Sequence, residues 1–363
     1  GRPPHDRTHR PKTPRPQAPG PDVCVTMAKE LGPTENKELK KFQAFLKTLY
    51  AEGKLQKFLV LEKKRRGVAP ERLVFIGIAD TAEFWWCAKK SLLKNKTMEP
   101  YYFASYLEDR IKYALELGYI KQIPLKPDRL LSIGADITLE EINFLLKKRS
   151  IPSGLHRTPL MMFWDADGNQ VWVIKNLSDL NLLSPPFPDK IVLPGDKSVI
   201  QQARQFVSSL DPNIEVENLD QFPRLKGEVF QLLKSEKYPT IRWNFEWENY
   251  VLVGVPDGIT DHLVYEFKTT RSKFLEFYLK PVALAQADLY GYFFGRDLKR
   301  VQIYVVEENR VDTWEEEIDK NNALETLERF KLLDDTGKAV PPKEWKCKRC
   351  EFNKLCANVD KRC

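Results

Sequence analysis

The stretch that most constrains the fold runs from Tyr250 to Lys268. Tyr250-Val-Leu-Val-Gly-Val is apolar, Pro256-Asp-Gly-Ile259 follows, and after Thr260-Asp261 comes a second largely apolar run, His262-Leu-Val-Tyr-Glu-Phe-Lys268. Two such runs around a short polar break predict a β-hairpin. With Thr260 and Asp261 as a two-residue turn, Asp257 falls opposite Val264 and Val255 opposite Glu266. Side chains alternate with period two, so Asp257, Glu266 and Lys268 share a face, and the two carboxylates become diagonal neighbours roughly 7–8 Å apart at the backbone. Two hard oxygen ligands completed by water suit Mg²⁺ or Mn²⁺. Such an ion polarises a phosphoryl oxygen and acidifies a bound water, and a lysine two residues on can orient that water or offset charge in the transition state. Taken alone, Asp-x(n)-Glu-x-Lys is common by chance and reads first as a cross-strand ion pair on an exposed face.

A chain of 363 residues, 42% hydrophobic, has room for two domains or one elaborated domain. Its formal net charge of +7 is a mild excess that permits a polyanionic partner without demanding one. No apolar run is long enough to span a bilayer, so no membrane role is expected. Residues 1–26 are rich in Pro and Arg, lack an apolar period, do not resemble a secretory signal and predict a disordered extension in which Cys24 is an incidental thiol. The compartment expected is intracellular and cytoplasmic, or nuclear or organellar in a eukaryote. Structural disulfides are rare there, so six cysteines point to metal or redox chemistry or to buried thiols.

Periodicity predicts a helix over 35–64 closed by Lys63-Lys64-Arg65-Arg66, which reads as a solvated, dipole-complementing run. A buried strand at 73–78 and helices over 80–119 and 135–150 come next. Asp165–Asn169 superficially matches a calcium loop but lacks its spacing and terminal glutamate, and fits a hairpin turn better. Residues 183–196, with four prolines, predict a linker. Beyond it, helices are expected at 197–209, 223–235, 273–294 and 312–333, and strands at 241–247, 249–259, 262–269 and 299–306. That order predicts an α/β fold, a mixed sheet flanked by helices.

The hairpin residues, followed by Gln286-Ala-Asp-Leu-Tyr290, resemble the RecB-type branch of the PD-(D/E)xK nuclease superfamily, in which a Gln-x-x-x-Tyr helix follows the catalytic hairpin. The resemblance implies a restriction-endonuclease-like core at 221–335. It makes Asp257, Glu266, Lys268, Gln286 and Tyr290 the catalytic set, with Asp257 and Glu266 as Mg²⁺ or Mn²⁺ ligands. The family carries a histidine ligand upstream of the hairpin, where this chain has Gln231; Glu228, one turn away, is an alternative ligand or simple helix-surface charge.

Cys347-x-x-Cys350-x5-Cys356 sets three thiolates at metal-ligand spacing. Two sources of a fourth ligand compete. Cys363 would complete a zinc knuckle, leaving Cys87 as a core thiol beside Trp85 and Trp86. Alternatively Cys87 itself closes the set, as in the Cys-Pro-Arg-type motif of iron–sulfur nucleases such as AddB-type nuclease domains and the CRISPR-associated exonuclease family. Ala88 and Lys89 replace that motif's Pro-Arg. That resemblance implies a structural [4Fe–4S] cluster on Cys87, Cys347, Cys350 and Cys356. It would join a helical N-terminal region, 27–95, to the C-terminal segment, 336–363, across the core. Residues 96–220 then read as an insertion of unknown role, in which Tyr101, Tyr102 and Phe103 are expected to pack in the core rather than stack on bases. The activity implied is an exonuclease on single-stranded DNA or DNA ends, working with protein partners in CRISPR adaptation or DNA repair. A catalytically weak scaffold that holds DNA or a partner, and a zinc-stabilised structural protein, are the competing readings.

Overall fold

A computed structural model describes residues 73–117, 138–147, 159–348 and 350–359, with a few positions between 37 and 54. The expected helix over 35–64 falls mostly outside these residues, as do Lys63–Arg66, Cys24 and Cys363. Strand β1 (Val74–Gly77) leads into a short helix α1 (Ile78–Ala82) and then the long α2 (Ala88–Glu116); α3 is Leu139–Lys147. The strands form three sheets, each mixed in direction. The fold is α/β, with sheets flanked by helices.

Strands β2 (Met161–Trp164), β3 (Gln170–Val173), β4 (Lys190–Leu193) and β5 (Glu215–Asn218) form one sheet, packed by α4 (Lys197–Leu210). β2 and β3 are the expected hairpin. Asp165 takes the amides of Asp167 and Asn169 on one oxygen, at 3.0 and 2.9 Å, so it organises a turn and not an ion site. The linker expected over 183–196 is corrected in part. Its prolines end at Pro188, apart from Pro194, and Ile191, Val192 and Leu193 form buried β4 between β3 and β5. A three-residue apolar run after prolines carries too little period to declare itself as a strand.

Helix α5 (Pro223–Lys234) precedes β6 (Trp243–Trp247) and β7 (Tyr250–Gly254), which pair with each other and, through β7, with β1. β8 (Gly258–Ile259), β9 (Leu263–Thr270), β10 (Leu298–Val305) and β11 (Arg310–Glu317) form the third sheet. α6 (Lys273–Phe294) carries the chain between parallel β9 and β10, and α7 (Lys320–Thr336) packs beside it. The helix expected over 312–333 is corrected at its start. Arg310–Glu317 alternates in exposure and lies antiparallel to β10, and the helix begins only after Asp319, whose carboxylate caps it through Asn321 N and Asn322 N at 2.9 and 3.0 Å.

One apolar core joins β1, β7, β9 and β10 to α6 and α7. α2 belongs to the same body: Phe103, Tyr106, Leu107 and Ile111 are buried, and Asp109 receives a bidentate contact from Arg242. Tyr101 is exposed, while Phe103 is core. A smaller cluster of Tyr265, Phe267 and Tyr304 packs with Phe230 of α5. β9 is therefore covered on both faces, with Val264 in the main core and its odd-numbered neighbours toward α5.

Candidate active site

The expected single strand over 249–259 is broken at Val255-Pro256. Proline has no amide hydrogen to give to a ladder, so β7 turns to pair with β1 and β6 and only Gly258–Ile259 pairs with β9. The register differs from the expected hairpin. Gly258 faces Tyr265 and Ile259 faces Val264, with the turn closed by Thr260 N donating to Leu263 O at 2.8 Å. Continuing that register puts Asp257 level with Glu266 instead of diagonal to it. The shift is by two residues in total, so the face is unchanged. Two glycines permit the local packing. A side chain at Gly254 would collide with the Tyr290 ring, and one at Gly258 with Tyr238.

Glu266 is fully buried. Lys268 Nζ lies 2.6 Å from Glu266 Oε1 and forms an ion pair with it. Burial pushes the Glu266 carboxyl up to about 8; Lys268 pulls it down and Asp257 pushes it further up. Burial by itself would lower the Lys268 ammonium, but Glu266 and Asp257 outweigh it and hold it above the usual lysine range. Lys268 also donates to Gln286 Oε1 at 2.8 Å. Asp257 accepts from Phe267 N at 2.8 Å and from Gln231 Nε2 at 2.6 Å, and burial raises it despite Lys268.

Tyr290, one turn beyond Gln286 on α6, is buried and donates to Val255 O at 2.9 Å, so it holds the strand end from which Asp257 projects. Gln231 and Asp257 line a cavity of about 340 Å³ together with Glu228. Glu228 is exposed and pairs with Arg224 at 3.4 Å. Contacts link Glu266, Lys268 and Gln286 in one set and Asp257 and Gln231 in another, and Asp257 acts electrostatically on Glu266 and Lys268. Tyr290 braces them, and Glu228 stands on the cavity wall.

Sequence reasoning missed a neighbouring acid–base group. Asp80 and Glu83 hold Lys94 at 2.7 and 3.1 Å, and they share a cavity of about 320 Å³ with Lys268, Gln286 and Trp86. The only hint available was position, since both acids stand just upstream of Cys87.

Cys87, Cys347, Cys350 and Cys356 are all half-buried free thiols. Burial pushes the Cys356 thiol up, Lys89 draws it down, and Cys350, Cys87 and Cys347 each act on it, so the four lie in one electrostatic neighbourhood. Trp86 meets Trp345 edge-on at 5.7 Å, and Lys346 Nζ donates to Trp86 O at 2.8 Å, tying the segment beside Cys87 to the segment beside Cys347. Among the described residues, no group of three or more His, Cys, Asp or Glu side chains is arranged to hold a metal ion. The carboxylate site supplies two such groups plus the amide of Gln231.

No family model and no curated protein matches the chain. Among solved structures it is similar to SSO0001, at 20% identity and a TM-score of 0.27 over 33% of this chain, spanning 58% of that protein's length. It is also similar to an alkaline exonuclease, LHK-Exo, from Laribacter hongkongensis, at 10% identity and a TM-score of 0.21, over 52% of this chain and 94% of that one. Likenesses this distant say nothing of the chemistry at the site.

Proposed function

We propose that this chain is a Mg²⁺- or Mn²⁺-dependent deoxyribonuclease that hydrolyses phosphodiester bonds, as an exonuclease on single-stranded DNA or DNA ends. The observation that carries the reading is Glu266: a fully buried carboxylate paired with Lys268 at 2.6 Å, on a strand whose register sets a second carboxylate, Asp257, level with it. One ammonium, Lys268, serves two carboxylates that burial raises, and a bound cation or a proton supplies the missing positive charge. Asp257 and Glu266 would hold the ion, with Gln231 as a further oxygen donor. When bound, the ion polarises the scissile phosphate and acidifies a water. Lys268, braced by Gln286, places a positive charge where negative charge develops on the phosphate. Gln231 and Phe267 N fix Asp257, and Tyr290 fixes the backbone behind it.

The four cysteines have the donor chemistry for a [4Fe–4S] cluster, which would clip the segment around Cys87 to the C-terminal segment. A role in CRISPR adaptation or DNA repair, with partner proteins, belongs to the same reading. One observation favours the catalytically weak alternative: Gln231 spends its amide on Asp257 where a stronger ligand would face the ion. Incubation of labelled single-stranded DNA with Mn²⁺, for the wild type and Lys268→Ala, separates the two.

A further inference from the structure

The first two turns of α6 expose large aromatic side chains. Phe274 is 59% exposed and Phe277 74%, although the same helix is largely buried from Val282 onward. Phe274, Phe277 and Tyr278 stand at i, i+3 and i+4, hence on one face. Their rings lie 5.2–5.4 Å from one another in the pairs Phe274–Tyr278 and Phe277–Tyr278, and Trp345 joins both Phe274 and Tyr278 at 5.4 and 5.2 Å. Two ammonium groups lie over this surface. Lys343 Nζ is 4.9 Å from the Tyr278 ring centre and Lys346 Nζ 4.8 Å. Among the described residues, neither forms a salt bridge with a carboxylate; Lys343 donates to the Tyr278 hydroxyl and Lys346 to Trp86 O.

An apolar protein–protein interface core is depleted of charge. The exposed rings of Phe274 and Phe277, beside half-buried Tyr278 and Trp345 and cations without a salt bridge among the described residues, fit a chain that offers π-faces and phosphates together. The surface is also continuous with the proposed active site. Trp345 meets Trp86, and Trp86 lines the cavity that contains Lys268 and Gln286.

We infer that Phe274, Phe277, Tyr278 and Trp345 form a stacking platform for the bases of single-stranded DNA, with Lys343 and Lys346 holding its phosphates, and that the strand passes Trp86 to reach Lys268. The inference rests on the nuclease reading for its ligand class, and it adds the path of the strand.

The test is fluorescence anisotropy of a labelled oligothymidine of about twelve nucleotides, in chelator so that nothing is cut. Phe277→Ala weakens binding by about tenfold, the doubly substituted Phe274→Ala/Phe277→Ala by more, and Phe277→Trp retains wild-type affinity. Lys343→Gln flattens the salt dependence by about 0.7 in log–log slope. Unchanged affinity in the alanine variants overturns the inference. So does a change of oligomeric state on gel filtration with binding intact, which makes the surface a self-contact. Hydrolysis of bis(p-nitrophenyl) phosphate by the wild type reads the metal site separately. Its failure removes the nuclease reading, while the binding comparison still decides the platform.

Discussion

Glu266→Gln isolates the electrostatic stress at the centre of the site. Burial pushes this carboxyl from its ordinary value of 4.5 to about 8. Between those values the folded chain holds a proton that the unfolded chain has lost. Stability therefore falls as pH rises through the window and levels off above about 8. The whole shift corresponds to on the order of 5 kcal/mol, and the part between about pH 6 and pH 9 to roughly 3 kcal/mol. Glutamine preserves the volume and does not titrate. Asp257, also raised, adds a fall of the same sign in both proteins, and Lys268, raised above its usual range, loses its contribution only at higher pH. Against the lowering by burial, Lys268 owes its raised value chiefly to Glu266, so the difference between the two proteins reports the Glu266–Lys268 pair. The assay is urea unfolding by tryptophan fluorescence in chelator at the two pH values. The wild type should lose roughly 3 kcal/mol relative to Glu266→Gln across the interval, and Mn²⁺ should return most of it to the wild type alone. Parallel behaviour of the two proteins would refute the claim that burial raises Glu266 despite its pair with Lys268.

Neighbouring contacts give three more expectations. Asp288 and Lys299, both buried and 2.7 Å apart, form an ion pair in which Asp288 also takes Asp319 N and Asn322 Nδ2. Asp288→Ala leaves the buried ammonium only the more distant, half-exposed Glu316 at 3.7 Å and should lower unfolding free energy by about 3 kcal/mol in urea titration, and a loss under about 1 kcal/mol contradicts it. Gln231→His should raise Mn²⁺ affinity by calorimetry, since an imidazole replaces an amide beside Asp257; unchanged affinity places Gln231 outside the ligand set. Anaerobically purified protein should be yellow-brown with broad visible absorption, and Cys356→Ala should bleach it; a colourless protein containing zinc contradicts the cluster.

The parts of the fold that periodicity controls were legible. The Lys273–Phe294 helix has the expected bounds because one continuous pattern covers it, and β9 and β10 match within a residue because their runs are apolar and bounded by turns. What failed was decided by pairing. Arg310–Glu317 is charged enough to pass for a helix start, and only its ladder to β10 makes it a strand. The face shared by Asp257, Glu266 and Lys268 came through a wrong turn assignment, since a slip of two residues keeps parity. Their opposition was not legible, because Pro256 breaks the strand and hands its first half to another sheet. Nor was the Asp80–Glu83–Lys94 group: nothing local in the sequence says that α1 and α2 converge on Lys268.

The central claim is hydrolysis of DNA by the buried carboxylate–lysine site. End-labelled single-stranded DNA incubated with Mn²⁺ and resolved on a denaturing gel tests it most directly, with wild type, Lys268→Ala and Glu266→Gln in parallel. The account predicts progressive shortening by the wild type and at least about 100-fold slower cleavage by both variants. An intact substrate with the wild type, or equal cleavage by all three proteins, would contradict it.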